Sequence, residues 1–314
     1  MNEDFAGHSG VVLQIVDDQL VLVQQDRLPV PAELQPRPVM YDLFTKRGTP
    51  MVKVAQMCSG DRLCIGMTGP YCFFWKPERR CKFCSIGLNA GSDASQKSVE
   101  DIVEVAEAAV RDPLLPARHI LVGGGTPDGE DMGALLAAQI CRALRAKVSV
   151  SIYVMITAPL KNKYIDLLRE AGADELGMNI EFHSERAWQE YIPGKASVVG
   201  KERYLRALEH SVTVFGPVNT RSLIIVGLEP ADETLKGVEQ LVSMGVMPIL
   251  SPFRALAGSL LENAEGFDAD TNYRIYQESM SIGMRYGVPI GPTCIACQNN
   301  TLALPVGFPQ YRCY

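Results

Sequence analysis

From about residue 62 to residue 290 the chain alternates between two hydrophobic rhythms, and that alternation restricts its fold more than any other feature. The short apolar runs "RLCIGMTG", "RHILVGGG", "VSVSIYVM", "ADELGMNIE", "TRSLIIVGLE" and "VMPILSP" read as strands. Between them the apolar residues recur at helical spacing. These segments are "SVEDIVEVAEAAVRD", with Ser98 capping a helix from Val99, then "DMGALLAAQICRALRA" and "LKNKYIDLLREAG", closed by Gly172. "GKERYLRALEHSV", "ADETLKGVEQLVSMG", stopped at Gly245, and "DTNYRIYQESMSIGMRYG" follow, and "VPIG" is expected to be a short last strand. About six or seven βα units in a row imply a parallel sheet that closes or nearly closes. The expected class is α/β, a partial or full (β/α) TIM-type barrel. A doubly wound open sheet is the alternative.

Upstream, "GVVLQIVDDQLVLVQQ" carries two apolar runs around Asp17 and Asp18 and reads as a hairpin, followed by the proline-rich connector "DRLPVPAELQPRPV". The expected organisation is a β-hairpin appendage with linker over 1–57, a barrel over 58–290 and a cysteine-containing tail over 291–314. A chain of 314 residues is long enough for one such barrel with a full core. A net charge of −6 excludes a broad nucleic-acid face, because no basic excess exists to neutralise phosphates. The N-terminus is acidic and shows no signal-peptide core, and no stretch approaches the ~20 apolar residues of a membrane span. A cytoplasmic location is expected.

Nine cysteines are many for a chain in a reducing compartment, where clustered thiols read as metal or redox sites rather than disulfides. They group as Cys58 with Cys64, then Cys72, Cys81 and Cys84, then Cys294, Cys297 and Cys313. Cys141 stands alone in an apolar helical stretch and reads as a buried small hydrophobe. The central set, Cys72-x8-Cys81-x2-Cys84, follows the first barrel strand. Three thiolates from one loop would leave one iron of a 4Fe–4S cube open to a small chelating molecule. Structural zinc is the rival reading, since Cys-x2-Cys is also a zinc-knuckle element.

The loop resembles that of radical S-adenosylmethionine (radical SAM) enzymes. It keeps an aromatic residue, Phe83, before the last cysteine in "CKFC", and has eight residues where three are usual. The resemblance implies that Cys72, Cys81 and Cys84 bind a 4Fe–4S cluster whose open iron chelates the amino and carboxylate groups of SAM. The implied product of SAM cleavage is a 5′-deoxyadenosyl radical that abstracts hydrogen from the substrate. "HILVGGGTPDG" resembles the glycine-rich segment that contacts SAM, placing Gly123, Gly124, Gly125 and Thr126 there; a tight turn alone would also explain the glycines. "MNIEFHSERAWQEYIPGK" resembles the Asn-x-Glu segment of the biotin- and lipoyl-synthase-like branch, with Asn179 and Glu181 facing the ribose or the methionine moiety. "TRSLIIVGLEP" resembles that branch's adenine-packing strand edge, lacking one glycine, with Arg221 the implied partner of the SAM carboxylate.

The C-terminal set Cys294-x2-Cys297-x15-Cys313 resembles an auxiliary 4Fe–4S site, expected at the barrel mouth opposite the first cluster, with Cys58 or Cys64 available as a fourth ligand. Zinc or plain buried thiols are the alternatives. Arg254 in "SPFRALAGS" could hold an anionic substrate group or a strand-end salt bridge. A lone His183 reads as a hydrogen-bonded structural residue. The implied function is sulfur insertion of the lipoyl- or biotin-synthase kind, fed by the auxiliary cluster. The alternative is radical rearrangement, cyclisation or methylation without sulfur transfer, and the non-enzymatic reading is an iron–sulfur or zinc sensor. The implied partners are a small-molecule or carrier-bound substrate, a reductant such as ferredoxin or flavodoxin, and a second protein that completes the reaction.

Overall fold

Six parallel strands in strict chain order form the centre of the molecule, seen here in a computed structural model. The structure describes residues 10–24, 27–58, 60–89, 93–94, 96–292, 297 and 301–303. The strands are β5 (Arg62–Gly66), β6 (His119–Gly123), β7 (Ser151–Met155), β8 (Glu175–Gly177), β9 (Thr220–Val226) and β10 (Met247–Pro252). Each pairs with the next, a short strand β4 (Gln56–Cys58) adds to the β5 edge, and among the described residues β10 and β4 at the two ends do not pair with each other. The result is a curled half-barrel, the partial form of the expected architecture.

Two short strands escape the sequence reading, β3 (Val30–Pro31) in the proline-rich connector and β4. β4 (Gln56–Cys58) runs antiparallel to β5, with Gln56 opposite Cys64 and Cys58 opposite Arg62. Three residues are too few to show a period of two, so nothing marks them in advance. A boundary after residue 57 therefore falls inside a strand of the sheet. The segment before it is also tied in. Met40 is buried in the main core and its N–H donates to the Asp112 carboxylate at 2.9 Å. The expected last strand, "VPIG", is a correction in the other direction: it makes only a single bridge, from Gly291 to Ile249.

Apart from a single-turn α1 (Met51–Val54), which the sequence does not mark, the longer helices lie where their apolar spacing predicts. α2 (Val99–Val110) starts at Ser98, whose hydroxyl accepts from the Asp101 N–H at 3.0 Å. α3 (Ala134–Arg145), α4 (Lys163–Glu170), α7 (Lys201–Phe215), α8 (Ala231–Ser243) and α9 (Ala269–Tyr286) follow their strands in turn. Gly172 and Gly245, at φ 95° and 79°, reverse the chain after α4 and α8, a conformation that side chains with a Cβ resist. Two shorter helices, α5 (Glu185–Tyr191) and α6 (Pro193–Val198), fill the connection after β8.

Alternation along each strand divides its side chains. Leu63, Ile65, Ile120, Val122, Ile152 and Val154 are buried toward the helix layer, with Ile102, Val105, Ala137, Cys141 and Leu168 in the same core. Their neighbours Arg62, Cys64, His119, Tyr153, Glu175 and Arg221 line the inner face. Cys141 is fully buried, and that burial pushes its thiol up to about 12, as expected of an inert core residue. The N-terminal hairpin forms a separate three-stranded antiparallel sheet from β1 (Val11–Val16), β2 (Gln19–Gln24) and β3 (Val30–Pro31). Asp17 and Asp18 make its two-residue turn, both at positive φ.

Candidate functional site

Loops at the C-terminal ends of the parallel strands build one site. Residues 67–84 leave β5 and fold back, tied to other segments by backbone bonds. The Phe73 N–H donates to the Thr126 carbonyl at 2.6 Å, the Lys82 N–H to Tyr191 at 2.9 Å, the Gly194 N–H to Arg79 at 3.1 Å and the Leu260 N–H to Lys82 at 2.9 Å. Cys72, Cys81 and Cys84 come together here, close enough that Cys81 feels the charge of both others and Cys84 that of Cys72. Two of the three sulfurs accept backbone N–H bonds, Cys72 from Thr126 at 3.4 Å and Cys84 from Ile86 at 3.5 Å. Burial pushes the thiols of Cys81 and Cys84 upward, and the Lys195 ammonium opposes that push at both.

The glycine segment after β6 serves this loop sterically. A Cβ on Gly125 would overlap the Tyr71 carbonyl oxygen and crowd the Cys72 side chain. The close approach requires glycine, and it puts Thr126 against Cys72. Thr126 in turn shares a 2.7 Å hydroxyl contact with Thr157. Gly123 lies against Met155, and Gly124, at φ 135°, sits by the Thr68 hydroxyl. Gly125→Ala should therefore displace the cysteine loop at a cost of ~1–3 kcal/mol, the usual range for overpacking. The expected outcome is a several-fold lower iron content after anaerobic reconstitution, with circular dichroism unchanged.

Across the cleft, the chain after β8 carries Asn179 and Glu181. Asn179 is held to β9: its Oδ1 accepts from the Leu223 N–H at 3.3 Å. Glu181 has a left-handed backbone, φ 63°, fixed by bonds to Leu223 and Ile225. Its carboxylate is buried, and Oε1 accepts from Lys195 Nζ at 2.6 Å. Burial pushes the Glu181 carboxyl upward; at Lys195 burial opposes the charge, but Glu181 outweighs it and holds the ammonium protonated. Oε2 of Glu181 is buried with no hydrogen-bond partner. Lys195, from α6, is the site residue that sequence reasoning missed. It lies 14 positions after Glu181 in a six-residue helix, where no spacing announces it.

Phe83 packs edge-on against Phe182, centroids 6.1 Å apart, and lines a pocket with Ile225, Ser251, Phe253 and Arg254. Arg221 lies deeper, on the inner face. Its guanidinium pairs with Glu175 and stacks on Tyr153, 4.9 Å from the ring centroid. His183 donates its backbone N–H to Glu229 at 2.8 Å, and its ring lies 3.8 Å from Glu233.

Cys297 is not at this mouth. Its sulfur lies 2.9 Å from Nε2 of His119, the first residue of β6, so it sits at the N-terminal ends of the strands. Cys58 and Cys64 are at the same end, on neighbouring positions of β4 and β5, and the nearby Cys64 thiol brings the Cys58 thiol down to about 7. Cys294 and Cys313 lie outside the described residues. Among the described residues no three His, Cys, Asp or Glu side chains converge tightly enough to hold a single metal ion.

A family model described as the radical SAM superfamily matches residues 77–242, which is 166 of the 314 residues. The chain belongs to the radical SAM superfamily. Membership implies a 4Fe–4S cluster and SAM. The curated bacteriochlorophyllide c C-7(1)-hydroxylase of Chlorobaculum limnaeum is 28% identical over 219 residues, covering 67% of this chain and 54% of that protein. This radical SAM chain thus spans about half the length of that relative.

Solved structures share the fold. A radical SAM methyltransferase from Sphaerobacter thermophilus superposes with a TM-score of 0.52 at 12% identity, over 93% of this chain and 81% of that one. Methylornithine synthase does so with 0.55 at 13%, over 73% and 70%. SuiB of Streptococcus suis, bound to SAM, gives 0.56 at 13%, over 76% and 51%. These likenesses do not single out the biotin- and lipoyl-synthase-like branch. No helix among the described residues is long and apolar enough to cross a membrane.

The residues of this radical SAM chain fit the cofactors. Three thiols converge at the strand ends, two of them bonded by N–H groups that suit cluster-bound sulfur. A buried carboxylate oxygen, Glu181 Oε2, stands ready for a donor from the ligand.

Proposed function

We propose that Cys72, Cys81 and Cys84 hold the cluster, and that SAM binds between Gly123–Thr126 and the Asn179–Glu181 segment. The observation that carries this reading is the Lys195–Glu181 pair beside the three thiols. It is a buried ion pair with one oxygen left over, placed where SAM would offer an ammonium or a ribose hydroxyl. When bound, the reduced cluster supplies the electron that splits SAM into methionine and a 5′-deoxyadenosyl radical, which takes hydrogen from the substrate.

The chain's own groups bind, orient and shield. The Thr126 and Ile86 N–H groups support the sulfurs of Cys72 and Cys84. Lys195 opposes the upward push of burial on the Glu181 carboxyl, whose second oxygen is left to meet a donor from the ligand. Phe83 and Phe182 shield the cluster side of the pocket from solvent and small solutes, where a stray hydrogen-atom donor would quench a radical. Ile225 at the end of β9 supplies an apolar surface for adenine. Arg254 offers a fork for an anionic group on a small-molecule substrate. Arg79 and Arg80 beside Cys81 give a reductant of the ferredoxin or flavodoxin kind a basic surface to dock on.

Cys297, the described member of the C-terminal set, lies beside His119 at the other end of the strands, which weighs against a sulfur-donating cluster at this site. We therefore favour carbon functionalisation without sulfur transfer over lipoyl- or biotin-type insertion. The Chlorobaculum relative, a C-7(1)-hydroxylase by name, is consistent with that preference. Anaerobically reconstituted protein given dithionite and SAM should form 5′-deoxyadenosine and methionine in equal amounts, measured by liquid chromatography with mass detection. SAM recovered intact from a sample with full iron and sulfide content would refute the reading.

A further inference from the structure

At the opposite end of the strands a second group of soft donors faces the inside of the sheet. Four chain segments contribute. Cys58 comes from β4, Cys64 from β5, His119 from the first position of β6, and Cys297 from the segment beyond α9. The strand register explains why they meet. Cys58 is opposite Arg62, Arg62 pairs with His119, and Cys64 sits one inward step further along β5. Leu63 and Ile65 take the helix-facing positions, so every inward position on β5 from Arg62 to Cys64 is polar or thiol.

The donors form two pairs. Cys58 and Cys64 lie diagonally across the β4–β5 ladder on one face, and His119 Nε2 lies 2.9 Å from Cys297 Sγ. The pairs do not merge into a set for one ion. Between them stands Arg62, near enough to all three sulfurs to feel their charge, its buried Nε without a hydrogen-bond partner. His119 and Cys297 are each 4% exposed, which shields the place from solvent. His119 is also oriented as a ligand would be. Its Nδ1 faces the Asp61 carboxylate at 3.6 Å, leaving Nε2 toward the sulfurs; a carboxylate behind the imidazole is the usual arrangement around metal-bound histidine.

Two adjacent pairs of soft donors, apart from each other, match a rhombic cluster in which each of two irons takes two protein ligands. We propose that Cys58 and Cys64 bind one iron, and His119 Nε2 and Cys297 the other, of a 2Fe–2S centre at the N-terminal ends of the strands. Arg62 balances the charge of the three thiolates. The site replaces the expected grouping of Cys297 with a cluster at the barrel mouth. It needs neither SAM nor the Cys72 loop, so it stands or falls separately from the proposed radical chemistry.

The test uses the full chain with Cys72, Cys81 and Cys84 all changed to alanine, reconstituted anaerobically with iron and sulfide. About two irons and two sulfides per chain should remain, with the visible absorption of a 2Fe–2S centre. Adding Cys58→Ser and Cys64→Ser should remove them. His119→Cys in the triple-alanine background should retain the iron and lower the reduction potential, because histidine in place of cysteine raises it. A merely structural histidine would leave the potential where it was. Mössbauer spectroscopy of the unsubstituted protein avoids reliance on any variant folding: about a third of the iron should be in a two-iron centre. Iron absent from the triple-alanine chain, one zinc per chain in its place, or iron that survives loss of Cys58 and Cys64 would each overturn the proposal.

Discussion

Cys81→Ala should abolish reductive SAM cleavage, reducing 5′-deoxyadenosine to the level of a sample without protein. Cys84→Ala should do the same, and the double variant should be no worse, because ligands of one cluster act as a unit. The fold should survive. The loop is fixed by backbone bonds on both sides of Cys81, from Phe73 to Thr126 and from Lys82 to Tyr191, and none of these uses the thiol. The thermal midpoint of the metal-free variant should therefore match that of the metal-free parent within ~2 °C. A Cys81→Ala protein that still cleaves SAM would remove this thiol from the ligand set.

Lys195→Ala should have the largest effect on stability. Glu181 Oε1 would lose its partner while Oε2 already has none, leaving an uncompensated carboxylate in a buried site. Breaking a buried pair by removing one partner costs ~3–5 kcal/mol. For a chain of this size that is a fall of about 10 °C in the midpoint of thermal unfolding. Lys195→Met together with Glu181→Gln should recover much of the loss, since neither partner is then charged. The double variant should still fail to cleave SAM, because the glutamine amide cannot serve as a carboxylate. Scanning calorimetry on the three proteins checks the first part. If Lys195→Ala unfolds within a degree or two of the parent, the pair is not holding that site together.

The barrel was legible because βα units write two different periods into one chain. Ile120 and Val122 alternate with His119 and Leu121, while Ile102, Val105, Ala106 and Ala109 recur at helical spacing. Caps were legible for a similar reason: Ser98 and Gly172 act within a few residues of their own position. The three-residue β4 and the single bridge at Gly291 lie below the length at which either period can be read.

The site followed the same division. Cys72, Cys81 and Cys84 share one loop, so their meeting could be inferred from spacing. Gly125 could be marked as a close approach, though not that its neighbour would be the Tyr71 carbonyl. Lys195 reaches Glu181 only because α5 and α6 fold back over the strand ends, a tertiary event with no local signal. Cys297 was misplaced because spacing ties it to Cys294 and Cys313, whereas the structure pairs it with His119, 178 positions earlier. The resemblance assigned Arg221 to the SAM carboxylate, whereas its guanidinium pairs within the protein. Its partner Glu175 is inward-facing on the adjacent strand, and only the register between β8 and β9 brings the two together.

The most direct measurement is electron–nuclear double resonance on the reduced protein, mixed with SAM carrying nitrogen-15 in its amino group. If three cysteines leave one iron open, the cluster signal should shift on addition of SAM and show coupling to that nitrogen. A signal unchanged by SAM, with no nitrogen-15 coupling, would mean that the fourth iron is already taken and that the account of this site is wrong.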